Sequence, residues 1–211
     1  MRIAVFGGTG RLGTRVVSEA VARGHDVTSV SRRPDLGRHP GGVRAATGDA
    51  VRPAPVAALA AGHDVLLSVI KPELIGSTTS VVLAARAFLA ALADRPGTRL
   101  LVVGGAGTLL DDDGTRLVDQ PGFPAFAKPY AMGHAAALDV YSADRVADWV
   151  YLSPPDDLEP GERTGGYRLG TDRLLRGEDG TSRISMEDLA VALLDEAENR
   201  KHQRERYTVG Y

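Results

Sequence analysis

The chain begins with a strand pattern that runs directly into a glycine cluster: Met1-Arg2-Ile3-Ala4-Val5-Phe6, then Gly7-Gly8-Thr9-Gly10-Arg11-Leu12-Gly13. Apolar residues at helical spacing follow this cluster, and the helix pattern ends at Gly24. A strand, a tight turn and a helix start, in that order, form the geometry in which backbone N–H groups hold a pyrophosphate. The segment therefore predicts a dinucleotide site that includes Gly7, Thr9, Gly10, Arg11, Leu12 and Gly13.

Strand and helix patterns alternate along the next 120 residues. Predicted strands cover 26–31, 43–47, 64–70, 99–105 and 148–152, and predicted helices cover 53–61, 77–93 and 129–147. The strands are nearly continuous apolar runs, which fits strands buried on both faces of a parallel sheet. The pattern predicts the α/β class, a Rossmann-type doubly wound parallel sheet.

The last third of the chain reads as a smaller lobe on the same domain. We expect one domain over 1–211, with a substrate-side lobe at about 153–185. The segment 153–166 contains three prolines and three glycines, so it is predicted to be irregular. Residues 167–169 and 183–185 are predicted to pair as a small extra sheet, before a helix through Glu196 and a final strand over 206–209. The segment 105–128 is predicted to be an ordered functional loop.

Composition excludes several classes of function. The 211 residues carry a formal net charge of −2 with no basic stripe, so nucleic acid is not an expected partner. The absence of cysteine excludes disulfides, thiolate nucleophiles and iron–sulfur ligation. No segment approaches the roughly 20 apolar residues of a membrane span, and no signal segment is evident, so a cytoplasmic protein is expected. Both a monomer and a small homo-oligomer remain open.

The residues that follow the second strand indicate which dinucleotide binds. A carboxylate there accepts hydrogen bonds from the ribose hydroxyls of NAD, whereas arginine favours the 2′-phosphate of NADP. The chain has Ser31 and then Arg32 and Arg33, which favours NADP, with NAD still possible and with ordinary loop charges as the alternative. Arg11 is within reach of the same phosphate. Asp49, next to Ala50, is predicted either to accept the adenine amine or to form a turn.

Small and polar residues end the two strands that face the expected nicotinamide. Ser68 is a tentative catalytic hydroxyl, with a buried core hydroxyl as the alternative. Close approach of a planar ring requires small residues at this place. The remaining predicted cofactor contacts are Val69, Ile70, Gly104, Gly105, Ala106, Ser153 and Pro154. Arg163 is predicted either to bind an anionic substrate group or to be a surface charge, and the acidic run at 111–113 reads as a solvated turn, so no metal is expected.

These patterns together resemble the atypical short-chain dehydrogenase/reductases, and more narrowly their bacterial NAD(P)H-binding, NADH-flavin reductase-like subgroup. The resemblance extends over nearly the whole chain. It rests on the opening glycine motif and on four further segments, 101–107, 148–154, 160–165 and 184–190. It implies a Rossmann fold, a nicotinamide cofactor and a substrate cleft under the C-terminal lobe.

One position departs from the usual pattern of these enzymes. Typical short-chain dehydrogenases carry Tyr-x-x-x-Lys, whose lysine lowers the pKa of the tyrosine. Here the nearest match is Tyr130-Ala131-Met132-Gly133-His134. Tyr130 is a tentative catalytic residue, and His134 either does related work or is an exposed helical residue, the interpretation that we favour.

The missing lysine favours one chemistry over another. A flavin, a quinone or another conjugated acceptor spreads the arriving charge, so it needs no dedicated acid, whereas an isolated carbonyl does. The first hypothesis is therefore NADPH-dependent hydride transfer to a flavin- or quinone-like acceptor. The second is a redox sensor that binds NADP(H) without chemistry. A nucleotide-sugar epimerase or dehydratase is disfavoured, because it requires the Tyr/Lys pair.

Overall fold

The computed structural model describes residues 1–35, 37, 39–75 and 78–211. Its strands are β1 Arg2–Phe6, β2 Asp26–Ser31, β3 Arg44–Thr47, β4 Val65–Ser68, β5 Leu74–Ile75, β6 Thr78–Thr79, β7 Arg99–Val103, β8 Asp148–Ser153, β9 Asp157–Glu159, β10 Arg168–Gly170, β11 Arg183–Ser185 and β12 Glu205–Gly210. Its α-helices are α1 Arg11–Ala22, α2 Pro53–Ala60, α3 Ser80–Leu92, α4 Lys128–Ala143 and α5 Met186–Asn199. Two 3₁₀ turns lie at Ala106–Thr108 and Leu117–Asp119.

Eight strands form one sheet in the order β10-β12-β8-β7-β4-β1-β2-β3. Every neighbouring pair in it is parallel except β10 with β12. The chain starts at the centre with β1, builds outward through β2 and β3, and then returns to the other side of β1 with β4. The predicted Rossmann-type sheet is therefore present, and its strand order reverses between β1 and β4.

Helices cover both faces of the sheet. Alternate residues of β1 show how the core divides: Ala4 and Phe6 face the side of α2, α3 and α4, whereas Ile3 and Val5 face the side of α1 and α5. On the first side the Phe6 and Phe88 rings meet edge to face with centroids 5.0 Å apart. Because both faces are buried, the strands need the near-continuous apolar runs seen in the sequence.

The small lobe differs from its prediction in two ways. Residues 157–159, predicted to be irregular, form strand β9, and β9 pairs in parallel with β11. The predicted pairing of 167–169 with 183–185 is wrong, because β10 instead joins the edge of the main sheet antiparallel to β12. The loop over 105–127 contains the two 3₁₀ turns and an isolated antiparallel bridge between Leu110 and Arg116, and the predicted helix start at Ser77 lies outside the described residues.

Candidate functional site

A long cleft crosses the carboxyl ends of the central strands, at the point where the strand order reverses. Its volume is about 860 Å³, within the range of small-molecule and cofactor sites. Open parallel sheets bind ligands at this place, because the loops that follow the diverging strands leave a crevice there. The residues predicted as cofactor contacts that line the cleft are Gly7, Thr9, Gly10, Arg11, Leu12, Arg32, Arg33, Asp49, Ala50, Val69, Ile70 and Gly104.

The glycine turn after β1 is tight enough to require its glycines. Gly7 has a φ of +84°, a conformation that side chains disfavour. A Cβ on Gly13 would lie 2.0 Å from the carbonyl oxygen of Gly7, so only glycine lets α1 start this close to the turn. Gly13 therefore shapes the site from behind and does not line the cleft.

The first turn of α1 suits an anionic ligand. The first N–H groups of an α-helix have no partner within the helix. The N-cap of α1 is Gly10, so no capping side chain accepts from these groups either. These groups and the positive end of the helix dipole favour a phosphate. A Cβ built on Gly10 meets only the Gly7 carbonyl oxygen, at 3.2 Å, and otherwise points into open space. The donors and this free space fit the pyrophosphate of a dinucleotide.

One end of the cleft is charged. Arg32 and Arg33 line it together with Asp49 and Ala50, as the sequence indicated. Asp49 also forms a turn, since its Oδ1 accepts the Val51 N–H at 3.2 Å. Glu73, which no sequence pattern indicated, lines the same end and forms a two-point ion pair with Arg32. That pair holds the pKa of Glu73 below its usual value.

The opposite end of the cleft is mostly apolar. Besides His134, its lining at the ends of β4 and β7 and from the lobe includes Val69, Ile70, Val103, Gly104, Leu158 and Met186, with Lys71 and Pro72 next along the chain after Ile70. Leu158 lies in β9 and Met186 begins α5, so the lobe does reach the cleft. Neither residue type indicates a particular chemistry, so the sequence did not predict them as site residues. They line the cleft because β9 pairs with β11.

The glycines after β7 make room for protein side chains. A Cβ on Gly104 would lie 2.0 Å from the Tyr151 ring, and a Cβ on Gly105 would lie 3.0 Å from the His134 ring. The close approach of a nicotinamide ring to this pair stays a prediction. Their absent side chains let a tyrosine and a histidine pack under the end of β7.

His134 is the polar group at the apolar end of the cleft. The favoured prediction of an exposed helical residue is wrong, because its ring is partly buried and lines the cleft. Its Nδ1 lies 3.3 Å from the hydroxyl of the buried Tyr151, which also donates to the His134 carbonyl oxygen at 3.2 Å. Burial lowers the pKa of His134 to about 4, so the imidazole is neutral at pH 7.

The two predicted catalytic residues do not line the main cleft. Ser68 is buried, and it borders a separate cavity of about 10 Å³ together with His134, Tyr141 and Tyr151. That volume is close to the space one water molecule needs. Tyr130 lies on α4 with 42% of its surface exposed. The His134 position four residues later, and not Tyr130 itself, is the part of that motif that lines the cleft.

Several predicted contacts lie away from the cleft lining. Ser153 is buried at the end of β8, where its carbonyl oxygen accepts the Thr208 hydroxyl at 2.7 Å, and Pro154 is buried beside it. Ala106 begins a 3₁₀ turn, and Gly105, the residue before it, packs on the His134 ring. Arg163 makes two hydrogen bonds of 2.8 Å to Glu19 of α1. Their roles in binding stay predictions.

The described residues contain neither a metal cluster nor a membrane-spanning helix. Among the described residues, no three His, Asp or Glu side chains come together as a metal site would require. In the predicted acidic turn, Asp111 is instead held by the Arg176 guanidinium at 2.8 Å. No helix within the described residues is long and apolar enough to cross a membrane.

Comparison with known proteins points in the same direction as the cleft. Residues 7–198 match a family described as NAD(P)H-binding. A Burkholderia pseudomallei structure is 41% identical, covers all of both chains with a TM-score of 0.88, and is provisionally named an exported protein. The location of the present chain therefore stays a prediction.

Two further solved structures are also similar over nearly their whole length. A Streptococcus pneumoniae protein, provisionally named an NADH-flavin reductase, is 33% identical over 100% of this chain and 99% of its own, with a TM-score of 0.85. A Bacteroides thetaiotaomicron protein, provisionally named an epimerase, is 32% identical over 100% and 96%, with a TM-score of 0.90. The provisional activities of these two proteins differ, while the fold is shared with this chain.

Proposed function

The chain belongs to the NAD(P)H-binding family, and from that premise we propose that it is a reductase that transfers a hydride from NADPH to a conjugated, flavin- or quinone-like acceptor. The observation that carries this proposal is the polarity of the cleft. Arginines line one end, the uncapped start of α1 lies in the middle, and apolar side chains line the other end. A dinucleotide with a charged adenosine half and a planar reactive ring matches that gradient.

Each part of the cleft has a binding role in this proposal. The N–H groups at the start of α1 hold the pyrophosphate, and Arg32 and Arg33 attract the 2′-phosphate. Val69, Ile70 and Val103 give the nicotinamide an apolar surface. Bound NADPH would supply the hydride, and the protein would hold donor and acceptor face to face in a site shielded from water.

The apolar end favours a conjugated acceptor over an isolated carbonyl. Reduction of a carbonyl concentrates negative charge on one oxygen, which a positioned acid must stabilise. His134 is neutral at pH 7, so it offers a hydrogen bond but no positive charge. An acceptor that spreads the charge over fused rings does not need that charge, and Leu158 and Met186 of the lobe offer apolar contact for such rings.

The test is consumption of NADPH by the purified protein, followed at 340 nm. We expect turnover with FMN, riboflavin or menadione and none with simple ketones or aldehydes. Turnover restricted to ketones and aldehydes would contradict the proposal. Tight NADPH binding without turnover on any acceptor would also contradict it, and would favour the alternative of a binding-only redox sensor.

A further inference from the structure

An unexpected carboxylate lies at the charged end of the cleft. The Nη1 and Nη2 atoms of Arg32 donate to the two carboxylate oxygens of Glu73 at 2.9 and 2.8 Å. Both side chains line the cleft, and both are at least half exposed. The guanidinium that the sequence assigns to a phosphate is therefore already bound by a carboxylate from another part of the chain.

The backbone around Glu73 is fixed by the start of α3. The Glu73 N–H donates to the Ser80 hydroxyl at 2.8 Å, and the Ser80 N–H donates to the Glu73 carbonyl oxygen at 2.8 Å. The Ser80 hydroxyl in turn donates to the Lys71 carbonyl oxygen at 3.0 Å. Because three hydrogen bonds hold the backbone of Lys71 and Glu73 to Ser80, the Glu73 side chain lies at the edge of the cleft in a defined position.

Arg32 and Glu73 have opposite effects on the binding of NADP(H) and NAD(H). A 2′-phosphate carries close to two negative charges near pH 7, so it needs the Arg32 guanidinium and is repelled by the Glu73 carboxylate. A free ribose 2′-hydroxyl has no such conflict, because a carboxylate accepts its hydrogen bond. We propose that Glu73 determines how strongly the site prefers NADP(H) over NAD(H), by competing with the 2′-phosphate for Arg32.

This inference rests on the proposed function, and it changes the cofactor preference that the arginines alone imply. The absence of a carboxylate at the end of β2 favoured NADP, but Glu73 supplies one from the loop before α3. Exposed ion pairs contribute little free energy, so ligand binding can exchange the partner of Arg32. The chain therefore accepts both cofactors, with a preference that one substitution tunes.

The experiment compares Glu73→Gln with a matched control, Asp26→Asn. Asp26 is also an exposed carboxylate that pairs with an arginine, Arg44, at 2.8 Å, but both residues begin their strands and neither lines the cleft. Calorimetry would measure the dissociation constants of adenosine 2′,5′-bisphosphate and AMP, which differ only by the 2′-phosphate. NADP⁺ and NAD⁺ would be measured in parallel, with thermal melting to check that each variant is folded.

We expect Glu73→Gln to shift the affinity ratio about tenfold toward the ligand with the 2′-phosphate, and Asp26→Asn to leave the ratio unchanged. Arg32→Gln should shift the ratio in the opposite direction. An unaltered ratio in Glu73→Gln, or an equal shift in Asp26→Asn, would overturn this inference alone. If the wild-type chain binds neither NADP⁺ nor NAD⁺, the proposed function itself fails.

Discussion

His134 shows how packing sets the protonation state of one side chain. In the unfolded chain a histidine titrates near pH 6.5, whereas burial lowers the pKa of His134 to about 4. Between these values the unfolded state binds more protons than the folded state, so stability falls as the pH drops from 6.5 toward 4. His134→Gln removes this contribution. We expect the free energy of unfolding of the wild type to fall by roughly 1–2 kcal/mol more than that of the variant between pH 7 and pH 4.5. The difference is no larger because the cleft-facing part of the ring remains solvated.

Urea unfolding of both proteins at the two pH values checks this expectation, since the other titrating groups cancel in the difference. An NMR titration of the histidine ring protons provides the direct control, because the His134 ring should still be neutral at pH 5. Equal losses for the two proteins would show that the ring is solvated in the folded state. His134 would then be free to act as a charged acid, which the proposed reductase chemistry does not require.

The orientation of His134 was not readable from the sequence, for an identifiable reason. The middle of α4 is a run of small residues that gives no clear apolar face, so the sequence leaves the rotation of the helix open. In the structure Gly133 fixes that rotation, because a Cβ there would lie 2.6 Å from the Thr79 side chain. By contrast, the positive φ of Gly7 and the close approach at Gly13 follow from the glycine spacing alone.

Elements with strong periodicity were predicted closely, and short paired ones were not. β1, β2 and α1 were recognised because their apolar spacing is local information. β9 was missed because Asp157 and Glu159 are residue types that strands disfavour, and prolines flank them. Each residue of β9 pairs with a β11 residue 26 positions further along the chain (183 − 157 = 26), and nothing in either short segment specifies that pairing. The lobe thus depends on tertiary contacts that sequence periodicity does not encode.

Arg163 provides a test of what holds the lobe against α1. Its two hydrogen bonds to Glu19 tie the loop after β9 to that helix, and half of the Arg163 side chain is exposed. Arg163→Gln should therefore cost less than about 1 kcal/mol of global stability. Local opening should increase more clearly, as faster amide hydrogen exchange over residues 157–166 measured by mass spectrometry. A raised KM for the acceptor with unchanged exchange would instead support the predicted substrate role of Arg163.

The parallel sheet as a whole follows from the alternation of elements, and so does the location of the cleft. Once β1 is central and the chain returns beside it with β4, the loops after these strands must diverge and leave a crevice. The charge distribution in that crevice is less predictable. Arg32 and Arg33 are adjacent in sequence to β2, but Glu73 reaches them from a loop whose course depends on how α3 packs. The position of the cleft follows from the topology of the sheet, whereas its selectivity between cofactors follows from how the side chains pack.

A ligand that contacts both halves of the sheet should stabilise the entire fold. Binding to the folded state alone adds about 2.7 kcal/mol at a ligand concentration one hundred times its Kd. For a chain of 211 residues this corresponds to a rise in Tm of about 5–10 °C. We expect that rise with NADP⁺ or NADPH, measured by differential scanning calorimetry. The control is Gly10→Ala, whose new methyl group meets only the Gly7 carbonyl oxygen but occupies space at the start of α1.

The variant should melt close to wild type without ligand, because Gly10 has a φ of −77° that alanine adopts readily. It should lose most of the ligand-induced rise, because the methyl group lies where the pyrophosphate approaches the helix N-terminus. A variant that keeps the full rise would mean that the dinucleotide is held elsewhere in the cleft. Absence of any rise in wild type would mean that the crevice between β1 and β4 does not bind the dinucleotide, whatever the fold resembles.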